Sequence, residues 1–475
     1  MFVTYHEILR ERIMKGYCPW CLQKITPWLV EESYLTRNLY SCPNSKCRKK
    51  ITECRACNNF ARWDTVILKD ENGKVLKDKT GKSRKIGSHD QFCLEHCHEI
   101  PNFEKMDMKI NEPSEYKKVY EYNSPNLAKT GKMALCAGGG AVVCGPLFYV
   151  AAPAIGGAVG SFVGGYSGAA ATSYGLALLG GGSLAAGGFG MAGGMVVATA
   201  SGIVLGSGIG AYIGNSYLAD IDGFDIKQIK KGTQPAIITV NGFLSEEDKK
   251  NGKGYQDWKK LIDEKYPGRE WYHIYWESKR LYYIGSLIVT VGGAATLGTA
   301  VTLAAKKATK EAAKKLGPAA AALTFIPFSK NPWHIAMVKA EKTGVLLADI
   351  LTRTSKKYVL LGHSLGARVI YSTLRQLENA PNQIIEDVHL LGGAVDNDSN
   401  NWKVAKKAVK NQIWNYYSNN DYVLSKVYKP STLFTSTPIG TTRIENVAGL
   451  RNKNVSKEVS GHMKYKRNAH LFVEK

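Results

Sequence analysis

From residue 227 to the C-terminus, short apolar runs alternate with stretches whose apolar residues recur every three or four positions. The runs AIITV (236–240), Trp271 to Trp276, Tyr358 to Leu361, VHLLGGAV (388–395) and IWNYYS (413–418) predict buried strands, and TRIENVAG (442–449) is strand-like. Asp257 to Tyr266 predicts an amphipathic helix, and a second follows residue 364, with Val369, Ile370 and Leu374 on one face. Strands alternating with helices imply an α/β fold around a parallel sheet, with functional groups at the carboxyl ends of the strands. Residues 281–328 interrupt the pattern with an apolar stretch around Gly292-Gly293, a lysine-rich helix and a Gly317-Pro318 break. That insertion is placed to cover the site as a lid or a membrane-facing cap, and 329–351 leads back to the next strand.

Upstream, residues 133–219 contain no Asp, Glu, Lys, Arg or His, and hold 24 of the 48 glycines. A charge-free stretch of this length supplies three or four membrane-spanning helices of about 20 residues each. Small-residue spacings such as Gly156-x3-Gly160 and Gly206-x3-Gly210 suit close helix packing in lipid. A flexible linker would carry more Ser and fewer Val, Leu and Ile; a segment that inserts only on contact with a bilayer is the other reading. An even number of crossings leaves both flanking regions on one side, which Lys129 and Lys132 mark as cytoplasmic.

The first region, 1–123, holds four cysteine pairs: Cys18/Cys21, Cys42/Cys47, Cys54/Cys57 and Cys93/Cys97. The opening residues lack the charged n-region, short apolar segment and small-residue cleavage site of a secretion signal, so none is expected, and close cysteine pairs in that setting hold metal more often than they form disulfides. Two pairs make one tetrahedral thiolate site, so the expectation is a module with two structural zinc ions. Spacing leaves consecutive and interleaved pairing open, and His89, His96 or His98 could replace a cysteine of the last pair. The formal charge of +23 points to an anionic partner, an acidic membrane or nucleic acid. The zinc module offers a protein-binding surface as well.

The sequence Gly362-His363-Ser364-Leu365-Gly366 lies between a predicted strand and a predicted helix. That strand–turn–helix context puts a serine on a sharp elbow, its hydroxyl projecting from the top of the sheet. Such a serine needs a histidine to take its proton and a carboxylate to orient that histidine, in the chain order serine, acid, histidine. Asp421, after the second strand beyond the elbow, is the expected acid, with Asp396 or Asp398 as alternatives. His462, in a glycine-containing loop, is the expected base; His470, between Ala469 and Leu471, reads as an apolar-face histidine. The oxyanion hole is expected from the backbone N–H of Leu365 and from Gly242 or Phe243. Asn241 stands where many such enzymes place a histidine.

GHSLGARVIY at the elbow, with Trp276-Glu277-Ser278, Asn331-Pro332-Trp333, LLGGAV, YYSNND and SGH, resembles the transmembrane-and-coiled-coil family of α/β-hydrolases. The resemblance covers about 235–470 and implies a membrane-associated serine hydrolase with a Ser364–Asp421–His462 triad and no catalytic cofactor. Bacterial members of this architecture are similar to exported lipase effectors that attack a neighbour's membrane. The cysteine-rich module is no fixed part of that family. The expected organisation is therefore a zinc module (1–123), a glycine-rich membrane region (133–219) and an α/β-hydrolase domain (227–475). The expected activity is lipase or phospholipase action on membrane lipid, with nucleic acid the less favoured partner. The alternatives are a membrane-disrupting toxin and a zinc-module adaptor carrying an inactive hydrolase scaffold.

Overall fold

A computed structural model describes residues 14–33, 37–67, 85–128, 206, 208–221, 223–242, 254–276, 332–425 and 437–472. Most of the charge-free stretch, the 281–328 insertion and Phe243 lie outside these residues. The chain divides into two compact units: Met1–Asp107 with Val119–Gly175, and Met108–Lys118 with Leu176–Lys475.

In the first unit, β1 (Gly16–Tyr17) and β2 (Lys24–Ile25) form a hairpin. β3 (Trp28–Glu31), β4 (Leu39–Ser41), β5 (Lys50–Glu53), β6 (Phe60–Ile67) and β7 (Lys85–His89) form an antiparallel sheet in sequence order. Its small core mixes Ile25, Tyr40, Ile51 and Phe60 with Cys18 and Cys42.

The second unit is built on a seven-stranded sheet. β8 (Asp225–Lys230), β9 (Thr233–Val240), β10 (Arg269–Tyr275), β11 (Tyr358–His363), β12 (Ile385–Leu391), β13 (Ile413–Tyr417) and β14 (Leu450–Asn454) lie in the order β14-β13-β12-β11-β9-β10-β8. Every pairing is parallel except that of β8 with β10. The longer helices among the described residues are α1 (Gly208–Asp220), α2 (Gln256–Lys265), α3 (Pro332–Thr352), α4 (Leu365–Leu377) and α5 (Ser399–Lys406). Val359 and Leu361 of β11 pack with Trp258, Leu261 and Ile262 of α2. Side chains alternate along a strand, so Leu360 and Gly362 face the other way. On that side a β-carbon on Gly362 would meet Ala367 of α4 at 2.8 Å.

Two sequence expectations shift. β8 is missed because DIKQIK is polar; as the antiparallel edge strand it buries only Ile226. The last strand is Leu450–Asn454 and not 442–449. Asn446 and Gly449 take positive φ, and the Asn452 side chain bonds both backbone groups of Ile444, so the earlier segment is held by a side chain and not by a ladder. The end of the charge-free stretch is α1, which packs on α3, while the Gly206 amide donates to Asp349. At 1.5 Å per residue its 13 residues reach about 20 Å, short of a bilayer core. Among the described residues no helix is long and apolar enough to cross a membrane.

Candidate active site

The elbow follows from three close approaches. A β-carbon on Gly366 would lie 2.1 Å from the Val240 carbonyl oxygen, and one on Gly242 would lie 2.8 Å from Ser364 Cβ. Only glycine permits β9, β11 and α4 to converge this tightly. Between them Ser364 takes φ 59° and ψ −122°, a conformation costing a non-glycine residue about 1–3 kcal/mol. Its amide donates to Leu391 O and its carbonyl accepts from Ala394 N, so β12 and the loop after it hold the strained turn.

The structure brings Ser364, His462 and Asp421 together in one buried line. His462 Nε2 lies 2.8 Å from Ser364 Oγ, and His462 Nδ1 lies 2.7 Å from Asp421 Oδ2. Asp421 follows β13, and its other oxygen accepts the Leu424 amide at 3.0 Å. The Tyr465 hydroxyl donates to the Gly440 carbonyl, and burial, then the Asp421 charge, push its pKa well up, so it stays neutral beside the carboxylate. The His462 backbone carbonyl meets His363 Nε2 at 2.9 Å. Burial, with His462 and Lys466 nearby, pushes the His363 pKa well down. His363 is therefore a neutral donor that fixes the loop carrying His462.

The alternative acids have other work. Asp396 accepts the Asn397 and Thr437 amides, and Asp398 caps α5 through Asn401 N. His470 is exposed and bonded to Glu264, not on an apolar face: burial of Ala469 and Leu471 turns the residue between them outward. Beside the serine, a β-carbon on Gly242 would sit 3.0 Å from Ser364 Oγ and 2.9 Å from Leu365 N, so the glycine leaves a space flanked by the hydroxyl and that amide.

Asn241 pins this turn. Its Oδ1 accepts from Trp258 Nε1 at 2.7 Å and Lys466 Nζ at 3.2 Å, its Nδ2 donates to Gly254 O, and its carbonyl accepts from Trp276 Nε1. Lys466 is buried, 3.6 Å from Asp257, with its ammonium over the Trp258 ring.

In the first unit two groups of ligand atoms, each within 4.8 Å of one another, are Cys18, Cys21, Cys42 and Cys47, and Cys54, Cys57, Cys93 and His96. Pairing is thus consecutive, and His96 stands where Cys97 was expected. The turn after Cys93 brings His96 Nδ1 to 3.3 Å from Cys93 Sγ, whereas Cys97 Sγ donates to the Phe92 carbonyl. Burial raises the Cys97 thiol to about 12. The donors fit a metal: Cys21–Cys42 and Cys57–Cys93 sulfur separations are 3.7 and 3.6 Å. A tetrahedron with metal–sulfur bonds of about 2.3 Å has edges near about 3.8 Å. The Ala56 and Cys93 amides donate to Cys54 Sγ, favouring thiolate.

Residues 126–475 match a family described as protein of unknown function DUF726. The chain belongs to the DUF726 family. Relatives of this DUF726 chain include an uncharacterized membrane protein of Schizosaccharomyces pombe, 28% identical over 282 residues (56% of this chain, 34% of that protein). The transmembrane and coiled-coil domain-containing protein STS1 of Oryza sativa is 29% identical over 272 residues (54% and 39%). The protein named "Probable lipase MIL1" of Saccharomyces cerevisiae is 32% identical over 141 residues (29% and 13%). The DUF726 chain therefore aligns with well under half the length of each of these three relatives.

In the DUF726 chain Lys466 and Trp258 were not legible as site residues, because their link to Asn241 spans 225 and 17 positions. His96 had a signal: Cys93-x2-His96 repeats the two-residue gap of Cys18/Cys21 and Cys54/Cys57.

Proposed function

We propose that the C-terminal unit is a serine hydrolase that cleaves carboxylic esters of lipids, with Ser364 as nucleophile, His462 as base and Asp421 as orienting acid. The observation that carries this reading is the unbroken Ser364–His462–Asp421 hydrogen-bond line at the carboxyl ends of parallel strands. In this mechanism Ser364 Oγ attacks the ester carbonyl as its proton passes to His462 Nε2. Asp421 keeps a proton on Nδ1 and stabilises the imidazolium. The Leu365 N–H donates to the oxyanion in the space Gly242 leaves, with the N–H of Gly242 or Phe243 as the second donor. The imidazolium then protonates the leaving alkoxide, and water releases the acyl group from Ser364 by the same relay.

Lipid is favoured as the substrate by the relative named a probable lipase, by relatives named as membrane proteins, and by the charge-free 133–219 segment. That segment is read as the membrane anchor, with the catalytic unit facing the cytoplasm. The two ligand groups are read as closed four-ligand zinc sites that stabilise the first unit; a closed site leaves no position for substrate. The test is purified full chain on phospholipid, triglyceride and short acyl esters. The expected result is hydrolysis that Ser364→Ala lowers by about 10³-fold or more; equal turnover by the variant overturns the assignment.

The same charge-free segment favours a second reading, in which it breaches bilayers directly. Dye leakage from vesicles that survives Ser364→Ala would support that reading over lipolysis.

A further inference from the structure

The edge strand of the first unit carries an apolar blade. Trp28, Leu29 and Val30 of β3 are 52%, 55% and 53% exposed. Large exposed apolar residues elsewhere among the described residues, such as Met108, Tyr422 and Met463, stand apart in sequence. Trp28 and Leu29, opposite Ser41 and Tyr40, point to the two faces of the strand, and Val30 stands at a bulge between Leu29 and Glu31. Apart from the Arg48 guanidinium over the Trp28 ring, all three side chains are about half exposed, and among the described residues β3 pairs only with β4 in the sheet order.

Cations flank the blade on its β4–β5 side, while the exposed Glu31 and Glu32 follow it along the chain. The Arg48 guanidinium lies 4.5 Å from the Trp28 ring centre, and Lys50 shares the cross-strand row Trp28–Ser41–Lys50. The segment Asn44–Lys50 contains Lys46, Arg48, Lys49 and Lys50 and no acidic residue. We infer that this edge is a docking surface for an anionic bilayer, with Trp28, Leu29 and Val30 entering the interface and Arg48 and Lys50 meeting lipid phosphates. A bilayer is the occupant that buries both faces of a strand at once. A peptide added to the edge would cover backbone groups but leave both faces wet. A single-stranded nucleic acid would use Trp28 but gains nothing from Leu29 or Val30, which offer no ring to stack on. A tryptophan backed by cations suits the headgroup level of a membrane.

The experiment is vesicle co-sedimentation of the full chain carrying Ser364→Ala, which leaves lipid intact and separates docking from hydrolysis. Vesicles are phosphatidylcholine alone or with 30 mol% phosphatidylserine (about one lipid in three). Arg48→Gln/Lys50→Gln is expected to weaken binding to the anionic vesicles about 25-fold, at about fivefold per charge, and to leave neutral vesicles little changed. Trp28→Ser/Leu29→Ser is expected to weaken both by about tenfold or more. All four side chains are at the surface, so unchanged melting temperatures accompany these losses. Parent-like vesicle binding by both double variants overturns the inference. So does a loss confined to single-stranded oligonucleotide binding measured on the same proteins.

Discussion

Ser364 is held in a conformation that its own side chain disfavours, and its neighbours supply the restraint. Gly242, Gly362 and Gly366 remove the β-carbons that would collide, and backbone bonds to Leu391 and Ala394 fix the turn. The other half of the site rests on one asparagine. Asn241 gathers Trp258, Lys466, Gly254 and Trp276 around the turn that brings Gly242 against Ser364. Asn241→Ala removes the acceptor of Trp258 Nε1 and one of the partners of Lys466, and frees the turn. The expected outcome is a kcat lower by about a hundredfold with KM little changed, because a misplaced oxyanion donor matters most in the transition state. Ester hydrolysis with steady-state kinetics checks this. A KM effect alone would assign Asn241 to substrate binding instead.

The helices α3 and α4 cross at close range, where Gly344 meets Val369 and Ser372, and a buried ion pair spans the crossing. Arg368 Nη1 donates to Glu341 Oε1 at 2.8 Å, and its Nε donates to the Ala394 carbonyl in the loop beyond β12. Burial, opposed by Arg368, raises the Glu341 pKa. The pair thus couples α3 to the loop that bonds Ser364 O. Arg368→Met strands a buried carboxyl and is expected to cost about 3–5 kcal/mol. Arg368→Met/Glu341→Met is expected to recover most of that loss, since an apolar pair of similar volume needs no compensating charge. Urea unfolding of the single and double variants measures the difference.

At the scale of the whole chain, pH and metal act on different units. In the second unit His273 and His389 are buried, which pushes both pKa values down to about 3. His389 is held between the Tyr266 and Tyr416 hydroxyls. An unfolded histidine titrates near about 6.5. Between that value and about 3 the unfolded chain binds more protons, so this stability is present above about pH 6.5 and falls as pH drops. Each such histidine contributes a slope of about 1.4 kcal/mol per pH unit within the window. His389→Gln, which keeps hydrogen-bonding capacity, is expected to flatten the measured slope between pH 5 and 6 by about that amount. In the first unit, metal analysis of the full chain is expected to give two zinc ions, and Cys97→Ala is expected to retain both. His96→Ala is expected to retain one firmly after chelator treatment. Loss of an ion in Cys97→Ala would return that cysteine to the ligand set.

Features that depend on short range are legible in the chain alone. The elbow, the apolar pattern of each strand or helix and the paired cysteines are each written within a few neighbouring residues. Tertiary structure decided what depends on distant segments meeting. Strand order favours Asp421 but leaves Asp396 and Asp398 as alternatives; among these three the packing brings only Asp421 to His462, while the others hold turns. His96 displaces Cys97 because a helical turn, and not residue type, selects which side chain faces Cys93. Lys466 joins Asn241 only because the C-terminal segment folds back beside α2. Leu450–Asn454 becomes a strand through its pairing with β13, since a polar edge strand draws its order from its partner and not from its own apolar pattern.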